Sequence, residues 1–337
     1  SAVCSSDLSS LGFRDLVSLY ASVLDFLIVT MVMEVKNDSI EAEQASPIEQ
    51  KTKLQSPSSD YSAVASTGCS YFVFMMCVGV VLRHFSDRDF STVLTLGAGV
   101  QCLAFYLLLQ KVKRQRSVAG ISSKMLEMYV CVLLLRLSST LIKQGYLPVD
   151  RSGDYVYQAA DMVSLYLVFQ LLWCCHKTHR VTFQADHDSL EIWRAVPVLF
   201  VLAVCLHGNL NKSAFFDTTW TFSMYLDTIA MLPQYWMLVK QGGEVEALTS
   251  HFVALVMLSR ACSFAFWYYG YRELAPRAGK NAGMVNNATG LNIAGWLIVA
   301  CHSTQLLMSA DFMYHYVSSA MGKVKMVLPP IGQGVDV

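Results

Sequence analysis

Two arginines stand where arginine is costly. Arg136 lies in the apolar run Val-Leu-Leu-Leu-Arg-Leu at 132–137, and Arg260 ends Leu-Val-Met-Leu-Ser-Arg at 255–260. At the middle of a membrane each guanidinium costs about 2.5–3.5 kcal/mol even on insertion scales, so it must face a bundle interior or a wet cavity. A guanidinium fork holds a carboxylate or phosphate through two parallel hydrogen bonds. Two chemistries follow. In one, the arginines take a ligand that carries such a group. In the other, they pair with aspartates of the chain itself, for which Asp161, Asp217, Asp227 and Asp311 are the candidates, and lock the helices together.

Other polar residues have structural readings of their own. Asp217 opens an apolar run, where a carboxylate complements the positive end of a helix. Trp220, one turn on, has the character of an interface anchor. Pro233 in the dipeptide Pro233-Gln234 removes a backbone donor late in the same run, which suits a hinge. His176, His179 and His187 share one polar loop, read as solvated rather than as a metal site. No Ser-His-Asp order, phosphate loop, HExxH or dinucleotide fingerprint is present, so no catalytic residue, cofactor or metal is assigned.

The elements that must position these groups are membrane helices. Only 15% of residues are charged, against about 25% in ordinary soluble domains. The net charge of zero gives no reason to expect nucleic-acid binding. Apolar residues gather in runs of about 18–22, the length that crosses a bilayer as a helix. A short run at 69–82 is followed by seven regular ones near 92–112, 121–142, 156–175, 193–209, 218–239, 249–269 and 291–317. Most of the ten cysteines lie inside these runs as small apolar residues, not in a disulfide framework. Residues 34–67 are polar and read as a disordered linker. Upstream, 16–33 is apolar but carries Asp25, leaving a signal-anchor, an amphipathic helix or a further span open.

Lys111, Lys113, Arg114 and Arg116 form the densest short-loop positive patch, which places that loop in the cytosol. Alternation then puts 143–155, 208–217 and 270–290 in the lumen, compatible with the glycosylation sequons at Asn211 and Asn287. A weak internal repeat relates 119–136 to 247–260: each begins with a small polar segment and ends in a buried arginine. Parallel three-helix repeats joined by a linking helix are a known transporter plan, with 193–209 as the linker.

Five stretches carry a resemblance to a known family. They are Arg116-Ser-Val-Ala-Gly-Ile-Ser122, the long block from Trp220 to Gln234, Thr249-Ser-His251, Ala310-Asp-Phe-Met-Tyr314 and the tail Lys323-Val-Lys-Met-Val-Leu-Pro329. Together they resemble the KDEL receptors, the endoplasmic-reticulum (ER) lumen protein-retaining receptors, over roughly 90–330. The resemblance implies an all-α fold of seven transmembrane helices similar to SWEET and PQ-loop proteins. It implies residence in ER and Golgi membranes and vesicle-mediated return of escaped ER proteins, recognised by their C-terminal tetrapeptide. Carried over by position, it assigns ligand binding to Arg136, Asp217, Trp220, Arg260 and Trp267. Asp161, Asp227 and Asp311 go to an internal polar network, and Lys323 and Lys325 to a tail that engages vesicle coat proteins. The implied organisation is an extension at 1–68, an extra span at 69–90, the seven-helix domain at 91–320 and a cytosolic tail at 321–337.

The chain also departs from the family pattern. Leu137, Ser259 and Ser263 stand where the family has tyrosines, Ser139 where it has an aspartate, Phe266 for an asparagine, and Gln101 near its pH-sensing histidine. These changes remove hydroxyl and acidic contacts and point to a divergent branch. A small-solute transporter of the same architecture and a non-binding structural trafficking protein are the rival readings.

Overall fold

The computed structural model describes residues 57–87, 89–148, 150–208, 210–211, 213–274, 291–322 and 327–328. The apolar segment at 16–33, the sequon at Asn287 and the tail lysines Lys323 and Lys325 lie outside the described residues.

Among the described residues the regular elements are helices, apart from one antiparallel pairing of two-residue strands, β1 (Gly243–Glu244) with β2 (Val327–Leu328). The helices are α1 Pro57–His84, α2 Thr92–Gln115, α3 Ser123–Thr140, α4 Arg151–Trp173, α5 Val196–Cys205, α6 Ala214–Ala230, α7 Leu232–Gln241, α8 Ala247–Gly270 and α9 Ile293–Gly322. Among the described residues, five helical stretches are long and apolar enough to cross a membrane: Thr67–His84, Thr92–Gln115, Arg151–Thr178, Leu248–Gly270 and Ile293–Ser319. An apolar face needs either lipid or neighbouring helices to cover it, and α2 and α1 show the two solutions. The apolar window of α2 is 83% buried inside the protein and that of α1 only 11%. So α2 is the central helix and α1 a peripheral one.

Six helices close a ring in the order α2, α4, α3, α6, α9, α8, with α8 back against α2. α5 lies against α6, and α1 against α2. The broadest contact is α2 on α8. Gly97 permits it: a Cβ there would come within 3.2 Å of Cys262 Cβ and of the Ser259 carbonyl. Small residues at membrane helix contacts let backbones approach this closely. The Ser259 hydroxyl completes the contact by donating to the Gly97 carbonyl at 2.7 Å.

Three elements differ from the sequence expectation. Helix α1 starts at Pro57, so the end of the expected linker is helical; proline suits a first helical turn, whose N–H groups have no partner to lose. The expected span at 218–239 is two helices that meet at Met231, because Pro233 cannot donate to the carbonyl a turn before it. The expected span at 193–209 is a 3-10 turn at Ile192–Ala195 running into α5, together about 21 Å long at helical rise, shorter than a bilayer core.

Candidate functional site

Helix α3 carries the first arginine and is held firmly at its start. The Ser122 side chain caps it by accepting from Met125 N–H, and its hydroxyl donates to Asp188 at 2.7 Å. Asp188 also accepts from the N–H of Ser123 at 2.9 Å. A carboxylate at the first turn satisfies donors that no helical carbonyl reaches. Gln234, at the start of α7, clasps the same place. Its carbonyl accepts from Ser122 N–H at 3.0 Å and its amide donates to the Gly120 carbonyl at 2.8 Å. The proline-glutamine pair thus joins a helix break to a fixed latch. Beside it Lys111, 1% exposed, donates to Thr249 Oγ1 at 2.8 Å and to the Ala119 carbonyl at 3.1 Å, and pairs with Glu246 at 2.6 Å.

Arg136 sits four residues before the C-terminal end of α3 and faces α4. Its Nε and Nη2 donate to the two oxygens of Asp161 at 2.7 and 2.6 Å. The Tyr157 ring, one turn before Asp161 on the same face, lies 6.0 Å from the guanidinium carbon. The fork is filled by this aspartate in full bidentate geometry.

Arg260 is deeper, ten residues or about 15 Å from the C-terminal end of α8. Its Nη1 pairs with Asp227 Oδ2 of α6 at 2.7 Å. Nη2 has only long contacts, 3.4 Å each, to Gln101 Oε1 and the Tyr129 hydroxyl, with the Tyr129 ring 5.8 Å away. Four buried polar atoms around this pair have no hydrogen-bond partner: Arg260 Nε, Asp227 Oδ1, Gln101 Nε2 and His302 Nε2. A void of about 10 Å³ adjoins the pair, its wall including Tyr235, Gln305 and Ser309. Such orphans are rare in a finished interior and cost about 1–3 kcal/mol each.

In the first turn of α6, Asp217, 2% exposed, accepts from the Tyr146 hydroxyl at 2.7 Å and from Leu210 N–H at 3.2 Å. Burial and this bond push the Tyr146 phenol above its usual range, so it stays a donor. Trp220 stacks on Tyr146 with centroids 5.4 Å apart and meets Trp267 at 5.2 Å. Phe266 continues the cluster edge-on to Trp267 at 5.1 Å. These rings fill the space between the N-terminal part of α6 and the C-terminal part of α8.

Of the positions singled out by sequence, Arg136 with Asp161 and Arg260 with Asp227 form buried pairs. Asp217, Trp220 and Trp267 form the aromatic and carboxylate cap. Asp311 is a correction: it is not in an internal network. Its side chain is 84% exposed, 3.9 Å from His315. It lies 18 residues into α9, about 27 Å along, where a helix reaches the far headgroup region and charge is tolerated. Sequence reasoning missed Tyr129, Tyr146, Tyr157, Asp188, Lys111 and His302. Tyr157 had a signal in its one-turn spacing from Asp161, and Tyr129 in its two-turn spacing from Arg136. The others depend on packing. Among the described residues no cluster of three or more His, Cys, Asp or Glu side chains could hold a metal ion.

Fold and site together define a multi-helix membrane protein with two ion pairs buried in its interior. The family model for the ER lumen protein retaining receptor matches residues 117–270. Curated relatives named ER lumen protein-retaining receptor include one from Dictyostelium discoideum, 28% identical over 69% of this chain and 97% of the relative. One from Entamoeba histolytica is 27% identical over 68% of this chain and 94% of its own. One from Plasmodium falciparum is 27% identical over 71% of this chain and 97% of its own. Over about two thirds of its length the chain is thus similar to proteins of that name.

Proposed function

We propose that this chain is a receptor of the KDEL-receptor type: it captures the C-terminal tail of escaped ER proteins and returns them from Golgi to ER. The observation that carries this reading is that the matched stretch, 117–270, contains both arginine–aspartate pairs together with Asp217, Trp220 and Trp267. The tail's carboxylates exchange with an aspartate at a guanidinium, and Arg260 is the group to which the ligand is drawn. The aromatic cap of Tyr146, Trp220 and Trp267 separates to admit it. In this reading Lys323 and Lys325 engage coat proteins on the cytosolic side, and the protein resides in ER and Golgi membranes.

The architecture in this reading is two three-helix repeats, α2–α3–α4 and α6/α7–α8–α9, joined by α5. Support comes from the packing order: in each triplet the last helix lies between the first two. The arginines fall on the middle helix of each.

Charge balance gives the pH dependence. A buried ion pair is neutral, and adding a carboxylate leaves an uncompensated charge, which costs several kcal/mol in a low-dielectric interior. Capture therefore takes up a proton. Proton uptake on binding means that affinity rises as pH falls, by up to about tenfold per pH unit for one proton. A peptide ending in Lys-Asp-Glu-Leu is expected to bind the purified protein more tightly at about pH 5.5 than at about pH 7.4, with its C-terminal amide weaker at both. No binding at either pH refutes the receptor reading. The break at Met231 favours a second reading, transport of a small solute, since a hinge suits alternating access. Flux through proteoliposomes without peptide binding would select it.

A further inference from the structure

Helix α1 is outside the family match and touches the bundle along little of its length. Between α1, α2 and α4 it leaves an apolar groove of about 800 Å³, with Val73, Cys77, Gly99, Leu103, Val163 and Tyr166 among its walls. The groove runs from Leu82 and Thr92 to Ser70 and Gln110. That is about 27 Å along α2, close to the thickness of a bilayer core. Three flanking helices are of membrane-crossing length and composition. What fills an apolar groove open to the bilayer is hydrocarbon, because an empty one forfeits dispersion contacts along every wall.

The two ends of the groove differ. At the end bearing the basic patch, Gln110 donates to Ser70 Oγ at 3.0 Å, and Arg114 donates to Thr67 Oγ1 at 3.0 Å and to Gln110 at 3.3 Å. Lys113 is exposed and close enough to Cys174, at the end of α4, to act on it electrostatically. Lys177 is exposed three residues later. Trp173, 61% exposed, marks the same level as an interface residue. Basic side chains from two helices thus flank the cytosolic mouth of an apolar trough. Basic pockets between helices on the cytosolic side suit anionic lipid headgroups.

We propose that this groove is a binding site for an anionic phospholipid. One acyl chain lies between α1, α2 and α4, and the headgroup phosphate meets Lys113, Arg114 and Lys177. Helix α1 is then the wall that turns a bilayer-facing surface into a lipid site.

The test is native mass spectrometry of the full chain released from vesicles of mixed phosphatidylserine and phosphatidylcholine. The expected result is retained phosphatidylserine in preference to phosphatidylcholine. Replacing both exposed lysines, Lys113→Ala with Lys177→Ala, should weaken that preference about thirtyfold, at about 1 kcal/mol per basic residue. Gly99→Leu, which projects into the groove where an added Cβ meets only Phe74 at 3.4 Å and beyond, should reduce retention of both lipids alike. If Gly99→Leu does not fold, the lysine variant carries the test alone, since both side chains are at the surface. Equal retention of the two lipids by the wild-type protein, or an unchanged preference in the lysine variant, overturns the proposal. So does retention of neither lipid, which leaves the groove to another occupant such as the chain's own N-terminal residues.

Discussion

The two buried arginines each pair with an aspartate of another helix, yet their surroundings differ. Arg136 is 12% exposed and has both fork positions closed on Asp161, at 2.7 and 2.6 Å. Arg260 is half as exposed, at 6%, but makes one short bond, to Asp227, and leaves Nε without a partner. The saturated pair, near the C-terminal end of α3, clamps α3 to α4. The unsaturated pair, deeper in the bundle, is the one the proposed capture would engage. Burial alone therefore does not separate the two pairs. The count of unmet hydrogen bonds does, and it is the reason the proposed capture is assigned to Arg260, since an interior keeps such orphans only where something else offsets their cost.

The comparison breaks most visibly in stability. Asp161→Ala leaves Arg136 unpaired in an apolar setting and should destabilise the protein by about 3–5 kcal/mol. Asp227→Ala should cost less, because Tyr129 and Gln101 remain within reach of Arg260. Thermal unfolding in one detergent ranks the two, and equal losses would erase the distinction. A smaller effect sharpens the same contrast. Gly97→Val forces α2 away from α8, where a Cβ has no room, and should cost about 1–3 kcal/mol. Because Gln101 lies one turn further along α2, the same variant should also alter tail binding, while leaving the Arg136 clamp in place. A binding constant and a melting curve on one preparation check both parts.

The ionisable groups were legible in the sequence because an arginine in an apolar run has few permitted environments. Asp161 and Asp227 were legible as partners for the same reason. Which aspartate meets which arginine was not, since that depends on α4 lying beside α3 and on α6 facing α8 across the interior. Asp311 shows the limit from the other side. Helix α9 runs 30 residues, longer than a bilayer core requires, so a residue inside the apolar run can still stand in the headgroup zone. The break at Met231 was signalled by Pro233. The double hydrogen bond that fixes Gln234 to 120–122 was not, because it joins residues more than a hundred positions apart. Ser259, read as the loss of a tyrosine, has a packing role against Gly97 that only the α2–α8 contact reveals.

The most direct test compares Arg260→Lys with Arg136→Lys, reading tail-peptide binding at about pH 5.5 alongside thermal stability. Lysine keeps the charge but loses the fork. Arg260→Lys is expected to lower peptide affinity at least about tenfold with a modest change in melting temperature. Arg136→Lys is expected mainly to lower the melting temperature, with affinity changed less than it is in Arg260→Lys. Unaltered binding in Arg260→Lys, or the reverse pattern in the two variants, would contradict the assignment of capture to Arg260.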